Sequence, residues 1–512
     1  YAQREEIGIV GVRLVTPQNT MQHGGIFLGI NGGADFAHMG LTLSEMGYAY
    51  RARVAQNLSA VSASCMMISK DLYRQVGGLN QEYLKLLFSD VDLSLKVKDQ
   101  GYKVLWTPYV TLLHRSGSTL DKIGKQEKTI TQISKENKYI HQKWLTKLAN
   151  DAAYNSNLSL KSANFEQNTD MQVSWDVDID KQKPRIYAFP SNSSGVGEYR
   201  VRAPLRALSE SGKVLYSLSK NMGELVFPNA VEIERIQPDV ILLQNGFLSE
   251  MQKPWIEYKK VSKCFRVAGM DDVVHILPHT HPKHGLWEKP RKQVKEHLAM
   301  TDRLIVANAV LAEEYSKFIN DIIIVPNYLE YARWGTIILP EKKHAKKLRV
   351  GWAGGNEHNG DLAFIEPVIK ALSKEVDWIF MGSCPETMRP YVAEFHGGVD
   401  FQYYPQNLAN LNLDLAIAPL EHNRFNEAKT NLRLLEFGIM GWPIVCSDIT
   451  PYKNAPVTRV GNNVDYWVRE IREKIQDVDA LRAEGEVLRQ WVLDNYILEN
   501  HTDEWFDALM PN

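Results

Sequence analysis

The sequence predicts an α/β protein assembled from Rossmann-like units. Three observations carry this. Strand-length apolar runs alternate with helical segments from Pro184 onward, glycines follow several of those runs, and no apolar run is longer than a strand. At 512 residues the chain has room for about three domains or large subdomains. Its 59 Lys plus Arg against 61 Asp plus Glu give a formal charge of −2, which excludes a nucleic-acid binder working through a basic surface. Hydrophobic residues at 44% and charged residues at 23% exclude wholesale disorder. No run approaches the ~18 apolar residues of a membrane-spanning helix. The opening residues Tyr1 to Glu6 carry neither an initiator Met nor an apolar signal core. The expectation is a soluble, cytoplasmic chain that begins partway through a longer protein. Cys65, Cys264, Cys384 and Cys446 form no CxxC pair and read as small buried hydrophobes in a reducing compartment.

In chain order, the zone from Ile7 to about His114 holds short apolar runs at Ile7–Val15, Gly25–Ile30, Ser64–Ser69 and Lys103–Thr107. Glycine pairs at 24/25, 32/33 and 77/78 break them, and Asp90–Gln100 reads as a helix, so the zone is mixed α/β. Asp121–Leu148 is a charged helical stretch with Ile130, Ile133, Tyr139 and Trp144 available for one face. Asn150–Asp180 is polar with few apolar residues, which reads as an extended linker after a bridging helix.

From Pro184 the strands are expected at Arg185–Phe189, Val240–Leu243, Cys264–Ala268, Arg303–Ala307 and Ile322–Val325. A second series follows at Leu348–Trp352, Trp378–Met381, Leu415–Ala418 and Pro443–Cys446. Alternating β and α elements imply parallel sheets with crossover helices. The Lys-rich break at Glu341–Lys347 divides them into two Rossmann-like halves, giving domains at 1–120, 121–183, 184–340 and 341–512. Amphipathic helices close the chain, with Trp467, Trp491 and Trp505 as core anchors.

Ser89-Asp90-Val91-Asp92 stands between an apolar run and a helix. Carboxylates there serve either as simple caps favoured by the helix dipole or as a general base at the carboxyl edge of a sheet, and the spacing leaves both open. His114 follows a strand and a turn. Asn57–Ser69 (NLSAVSASCMMIS), Gln75–Asn80 (QVGGLN), Phe88–Lys96 (FSDVDLSLK), Gln100–Arg115 and the upstream Gly8–Gly29 occur in order. Together they resemble the C-terminal half of a family 2 glycosyltransferase with the GT-A fold, over about residues 5–120. The resemblance implies that Asp90 is the base that deprotonates an acceptor hydroxyl, with Asp92 in support and His114 near a metal. Ser89 stands where the family commonly has Glu. The family's nucleotide-gripping half and its Asp-x-Asp motif would precede Tyr1, and Asp176-Val177-Asp178 lies in the linker. A Mg²⁺ or Mn²⁺ site therefore belongs only to a complete GT-A module, and the expectation is a half-module without transfer activity of its own.

In the second zone, Gly351-Trp352-Ala353-Gly354-Gly355-Asn356-Glu357-His358 follows a strand. Such glycines either make a tight strand–helix turn or let backbone N–H groups approach an anion. In Glu421–Asp448 (EHNRFNEAKTNLRLLEFGIMGWPIVCSD), Lys429 and Glu436 are seven apart. A helix starting near Lys429 would put both on nearly one face, where a cation can neutralise a diphosphate and a carboxylate can accept ribose hydroxyls. The zone resembles family 4-type glycosyltransferases with the GT-B fold, over about residues 184–510. The resemblance implies that Gly354, Gly355 and His358 hold the diphosphate, Lys429 its charge and Glu436 the ribose. Glu427 would face the donor sugar, although Glu427 and Glu436 stand nine apart, one more than in the family. Gly195-Val196-Gly197-Glu198-Tyr199-Arg200 looks like the glycine loop of the N-terminal half, and Asp271-Asp272 like the paired acids on the acceptor side.

The reading is thus a partial GT-A module joined to a complete GT-B double Rossmann-like module. It implies a glycosyltransferase (hexosyl or deoxyhexosyl transfer, EC 2.4) using a nucleotide-sugar donor, with Asp90, Lys429 and Glu427 as catalytic candidates. The GT-B module would need no cofactor. Its acceptor would be a glycan or lipid-linked glycan of a bacterial surface polysaccharide such as O-antigen, reached by peripheral association at the inner membrane face. The rival reading is a non-catalytic glycan-binding or scaffold protein with degenerate transferase folds.

Overall fold

A computed structural model describes residues 1–115, 127–169, 173–219, 226–287, 289–341 and 347–511, with side chains of the helix at 127–149 described from Thr129. The chain folds as two compact units. One comprises Tyr1–Val173, Val226–Gln237 and Ile256–Lys263; the other comprises Ser174–Leu225, Pro238–Trp255 and Cys264–Asn512.

The first unit is built on a five-stranded mixed sheet. Its strands are β1 (Ile7–Val15), β2 (Met21–His23), β5 (Gln56–Leu58), β6 (Met66–Ile68) and β7 (Lys103–Leu113), while β3 (Ile26–Leu28) and β4 (Ala34–Phe36) form a separate hairpin. β1 and β7 run parallel at the centre; β2 and β6 pair antiparallel with β1, and β5 pairs antiparallel with β7. Close approach fixes the glycines of β1. A Cβ on Gly8 would lie 2.4 Å from Val97 Cγ1 of the Ser89–Asp99 helix, and one on Gly11 would lie 2.5 Å from Val61 Cβ. That helix starts at Ser89, and its Val91, Leu93, Leu95 and Val97 are buried.

Three expectations change here. The bridging helix, described over Glu127–Ala149 (its expected start at Asp121 lies outside the described residues), is part of the first unit's core. Ile140, Trp144 and Leu148 join the same cluster as Ile26, Val91 and Trp106. The polar stretch after it is no free linker either. Tyr154, Leu160, Ala163 and Phe165 are buried in that cluster, with the Phe165 ring 5.3 Å from that of Phe27. The few apolar residues there are widely spaced, so composition hides them, yet these four reach the core. The letters Asp176-Val177-Asp178 form a turn in which Asp176 Oδ1 accepts the N–H of Asp178 at 2.9 Å. The helix Ala230–Ile236, expected within the 184–340 half, also packs in the first unit. Val231 is fully buried in its cluster, and Arg235 Nε donates to the Ala149 carbonyl at 3.1 Å.

The second unit contains two six-stranded parallel sheets. The first has the order β13-β12-β11-β10-β8-β9, from β8 (Arg185–Phe189), β9 (Leu215–Leu218), β10 (Val240–Gln244), β11 (Phe265–Gly269), β12 (Arg303–Val306) and β13 (Ile322–Ile324). The second has the order β16-β15-β14-β17-β18-β19, from β14 (Arg349–Gly354), β15 (Asp377–Gly382), β16 (Glu394–Gly397), β17 (Leu415–Ala418), β18 (Ile444–Ser447) and β19 (Thr458–Val460). Both orders reverse direction, beside β8 and beside β14. In doubly wound sheets the crevice outside the strands' carboxyl ends at such a reversal is where ligands bind. The Lys-rich break at 342–346 lies outside the described residues. The last helix, Thr502–Leu509, does not stay with the second sheet as expected; Trp505, Ala508 and Leu509 complete the core around Ile186 and Val240 of the first. Trp467 is likewise a core residue, and Trp491 is half-buried against Tyr496.

Candidate functional site

At the carboxyl end of β14 the chain turns through Gly354 and Gly355 into the helix Asn359–Leu372. Gly382, at the end of β15, has φ +92°, and a Cβ there would lie 2.3 Å from the Gly354 carbonyl oxygen, so the two strand ends close on each other only as glycines. His358 stands at the N-cap position of that helix and shares a 2.7 Å hydrogen bond between Nδ1 and Asp361 Oδ2. Asp361 Oδ1 accepts the Glu421 N–H at 2.7 Å and Asn426 Nδ2 at 2.9 Å, fixing that carboxylate and hence the imidazole. Burial, then the nearby Lys429 and Arg433 charges, push the His358 pKa down against the pull of Asp361.

The Glu421–Asp448 segment is cut into two helices rather than one. Asn423 caps Arg424–Glu427, accepting the Asn426 N–H at 2.8 Å, and the second helix starts only at Leu432. Lys429 therefore stands on the loop between them, not on a helix shared with Glu436. Both residues still reach one cleft. Lys429 Nζ lies 3.9 Å from Asp272 Oδ1 and 4.7 Å from the centre of the Phe425 ring. Asn308 Nδ2 donates to the carbonyls of Ala428 (2.8 Å) and Lys429 (3.1 Å), and Asn327 Nδ2 donates to Thr430 Oγ1 (3.1 Å), so two side chains of the first half grip this loop. Glu436 is buried and accepts the hydroxyls of Tyr199 at 2.8 Å and Tyr404 at 3.0 Å. Burial raises its pKa, against Arg433 and the two tyrosines. Glu427 is absent from the cleft wall; its carboxylate accepts the Thr450 N–H at 3.2 Å.

The opposite wall comes from the first sheet. Gly195 lines the cleft, whereas Gly197 lies behind it, where a Cβ would meet the Asn192 carbonyl oxygen at 2.2 Å. Arg200 is buried, donates from Nη1 to the Val325 carbonyl (2.7 Å) and Asn327 Oδ1 (3.1 Å), and lies 4.8 Å from the Trp505 ring. Burial brings its pKa down to about 10. Asp271 accepts Gln244 Nε2 (2.7 Å) and Asn245 Nδ2 (2.9 Å) and sits 3.6 Å from Arg200 Nε. Burial pushes its pKa up to about 6; Arg200 opposes this and Asp272 adds to it.

The cleft thus gathers Gly195, Arg200, Asp271, Asp272, Gly354, Gly355, His358, Lys429 and Glu436 around about 470 Å³, within the range of pockets for small ligands. The sequence reading missed Tyr199, Tyr404 and Arg433 on its walls. Arg433 had a signal: it stands three residues before Glu436, one helical turn away. The tyrosines had none, since only the fold brings position 199 to position 436.

In the first unit, Asp90 is the second residue of the Ser89–Asp99 helix and accepts the N–H groups of Ala63 (3.2 Å) and Val91 (2.9 Å); burial raises its pKa. The preceding loop is fixed by Glu136, whose buried carboxylate accepts the N–H groups of Lys85 (2.9 Å), Leu86 (3.0 Å) and Leu87 (2.7 Å). Phe88 follows in a left-handed conformation at φ +61°. Asp92 is fully buried and binds Lys143 (2.7 Å), Trp144 Nε1 (2.8 Å) and Lys96 (3.1 Å). Burial pushes its carboxyl pKa up, but those donors hold it below its ordinary value. Asp92 is therefore a structural anchor for the bridging helix, not a residue open to a metal. His114 Nδ1 shares a 2.8 Å bond with Gln22 Oε1. Among the described residues no cluster of three or more His, Cys, Asp or Glu is placed to hold a metal ion, all four cysteines are free, and no helix is long and apolar enough to cross a membrane.

No protein-family model matches the chain. It is similar to the uncharacterized protein y4gI of Sinorhizobium fredii (37% identity over 164 residues, 32% of this chain and 18% of that protein). It is also similar to the O-antigen biosynthesis protein RfbC of Myxococcus xanthus (28% over 119 residues, 23% of this chain and 9% of that protein). The chain therefore spans only a small part of these curated relatives. Similar solved structures include a sucrose-phosphate synthase of Thermosynechococcus elongatus (11% identity, TM-score 0.44, covering 64% of this chain and 99% of that one). A glycosyltransferase of Rickettsia africae (12%, 0.44, 65% and 100%) and Anabaena HepE with UDP and glucose (10%, 0.42, 63% and 98%) are others. Similarity of that degree transfers no activity.

Proposed function

We propose that the second unit is a GT-B glycosyltransferase module that takes a nucleotide-sugar donor into its cleft. One observation carries the reading: the carboxyl ends of two doubly wound sheets bring a cation (Lys429), a glycine turn at a helix N-terminus (Gly354, Gly355, His358) and a buried carboxylate (Glu436) around one ligand-sized space. A diphosphate suits the first two, since backbone N–H groups, the helix dipole and an ammonium all favour an anion. A ribose diol suits the third, because a carboxylate has about four acceptor sites and the tyrosines occupy two. Arg200, Asp271 and Asp272 face the acceptor. Transfer requires the developing charge on the departing diphosphate to be stabilised, which is the role this reading gives to Lys429. Glu427 is not given a catalytic role in this reading, because it stands off the cleft.

The acceptor is proposed to be a growing surface polysaccharide or lipid-linked glycan, in keeping with the name of the Myxococcus xanthus relative. For the first unit we assign Asp90 the place of a base, held by the Ala63 and Val91 amides. The capping of Glu436 by two tyrosines favours the rival, a non-catalytic glycan-binding scaffold. Screening a panel of nucleotide sugars for hydrolysis and for thermal stabilisation separates the two: an enzyme is stabilised by, and cleaves, at least one of them, and a scaffold ignores them all.

A further inference from the structure

The strand β7 changes character halfway along. Residues 104–108 are buried, whereas 109–113 are exposed throughout, Tyr109 at 69% and Leu113 at 60%. β1 pairs with this outer half on one side, Arg13 with Thr111 and Val15 with Leu113. On the other side β5 reaches only residues 104–106, so among the described residues the edge from Thr107 onward is bare. The chain arrives at β5 through the loop 38–54. Extending the antiparallel register by two residues sets Val54 opposite Pro108, next to Tyr109. This loop is pinned on both sides of Tyr50. The Tyr48 ring stacks on Phe165 at 4.5 Å, while Arg51 lies over the same ring at 5.5 Å and donates to the Ala153 carbonyl at 3.1 Å. Tyr50 itself, left-handed at φ +63°, stands 65% exposed, and Met46 and Val54 are exposed beside it in sequence. Apolar side chains held out on a fixed loop and a strand end mark a contact surface.

Charge says what this surface meets. Residues 7–25, 37–55 and 103–115, which supply β1, β2, the loop and β7, contain one acid. It is Glu45, and its carboxylate accepts the Thr42 N–H at 2.6 Å and the Thr42 hydroxyl at 2.8 Å. Arg13 donates from Nε (2.9 Å) and Nη2 (2.7 Å) to Thr111 Oγ1. Burial, then the like charge of Arg53, lowers its pKa. Arg53 donates from Nη2 to the Ser44 carbonyl at 3.1 Å, and its Nε is buried without a partner. Among the described residues neither arginine forms an ion pair; within residues 1–173 the paired carboxylates are Asp92 and Asp99. A second copy of the chain pairing along this edge about a two-fold axis would set the same arginines of both copies against each other. A layer of phosphates over apolar chains supplies what both features lack: anions for the arginines, and a headgroup–acyl boundary for the tyrosines.

We propose that the loop 38–54 and the outer half of β7 form a docking surface for a bilayer carrying anionic phospholipid. Tyr50, Tyr109 and Leu113 enter the headgroup–acyl boundary, and Arg13 and Arg53 meet lipid phosphates. Attachment of this kind is peripheral: apolar side chains bury part of their area among the lipids, and the cations add attraction that falls with salt. The surface lies wholly in the first unit and serves a peripheral protein whatever chemistry the second unit performs.

The test is flotation of the full chain with vesicles of phosphatidylcholine alone and of an equal mixture of phosphatidylcholine and phosphatidylglycerol, at low and high salt. Wild type should partition onto the mixed vesicles about tenfold or more better than onto the neutral ones, since each cation near an anionic surface contributes about fivefold. High salt should remove that preference, and so should Arg13→Gln combined with Arg53→Gln. Tyr50→Asn combined with Leu113→Gln should weaken binding to the mixed vesicles by about tenfold or more; asparagine tolerates the left-handed backbone of position 50. Melting temperatures establish that the variants fold. Should the arginine pair fail to fold, the salt dependence of wild type carries the charge arm, and Tyr50→Asn alone carries the apolar arm if its partner substitution does not fold. A wild-type chain that floats with neither vesicle overturns the proposal. So does equal binding to both vesicles, or binding that the apolar substitutions leave at the wild-type value. Sedimentation without vesicles tests the other occupant: a wild-type dimer that Tyr50→Asn with Leu113→Gln turns into a monomer, with no vesicle binding, makes this surface a contact between copies and overturns the membrane assignment.

Discussion

The Tyr199 hydroxyl donates to Glu436 Oε1 at 2.8 Å, joining residues 237 positions apart and linking the two sheets of the second unit across the cleft. Tyr199 is itself buried among Trp334 and Phe401, and burial raises its pKa well above the ordinary tyrosine value. The bond ties the two sheets together and occupies one acceptor site of the carboxylate proposed to meet the ribose. Tyr199→Phe should lower stability by about 1.5–3 kcal/mol, the worth of a bond to a charged group. It should not weaken nucleoside diphosphate binding. Glu436→Ala should weaken it at least tenfold. Thermal melts with and without nucleotide measure both effects.

Asp271 gives a pH signature. Its pKa in the folded chain is raised to about 6, above the ordinary aspartate value of 3.8. The folded state therefore binds the proton more tightly, and this contribution to stability is fully present below about pH 4 and lost as pH rises through about 6. Asp271→Asn should remove that slope, so that wild type loses on the order of 2 kcal/mol relative to the variant between pH 4 and pH 7. Urea midpoints at the two pH values test it; parallel profiles would show that Asp271 is not shifted.

Asp92 carries the corresponding prediction for the first unit. Removing a fully buried carboxylate that serves Lys143, Lys96 and Trp144 leaves the indole N–H without a partner and unpins the bridging helix. Asp92→Ala should destabilise this unit by about 3 kcal/mol, near the lower end of what breaking a buried ion pair costs. Hydrogen exchange should report the loss along Glu127–Ala149 while β8 to β19 keep their protection.

Much of the second unit was legible because its central strands are continuous β-branched or apolar runs. Val240–Leu243 and Leu415–Ala418 fall within or on the observed strands. The edge strands β16 and β19 were not legible, since Glu394-Phe395-His396-Gly397 and Thr458-Arg459-Val460 contain no apolar run; pairing on one side alone makes them strands. The cleft's charged residues and glycines stood in recognisable strand–turn contexts. Tyr199, Tyr404 and the Asn308 and Asn327 clamps did not, because their partners are set by tertiary packing. The polar stretch after Ala149 misled for the opposite reason: Tyr154 and Phe165 anchor it in the core although its average composition is that of a linker.

The most direct measurement is titration of the chain with nucleoside diphosphates in EDTA, with Lys429→Ala alongside. The account predicts that at least one nucleoside diphosphate binds with one-to-one stoichiometry and undiminished affinity in EDTA. It also predicts that Lys429→Ala weakens this binding by about 1.5–3 kcal/mol. An affinity that Lys429→Ala leaves unchanged, or binding that appears only with Mg²⁺, would contradict it.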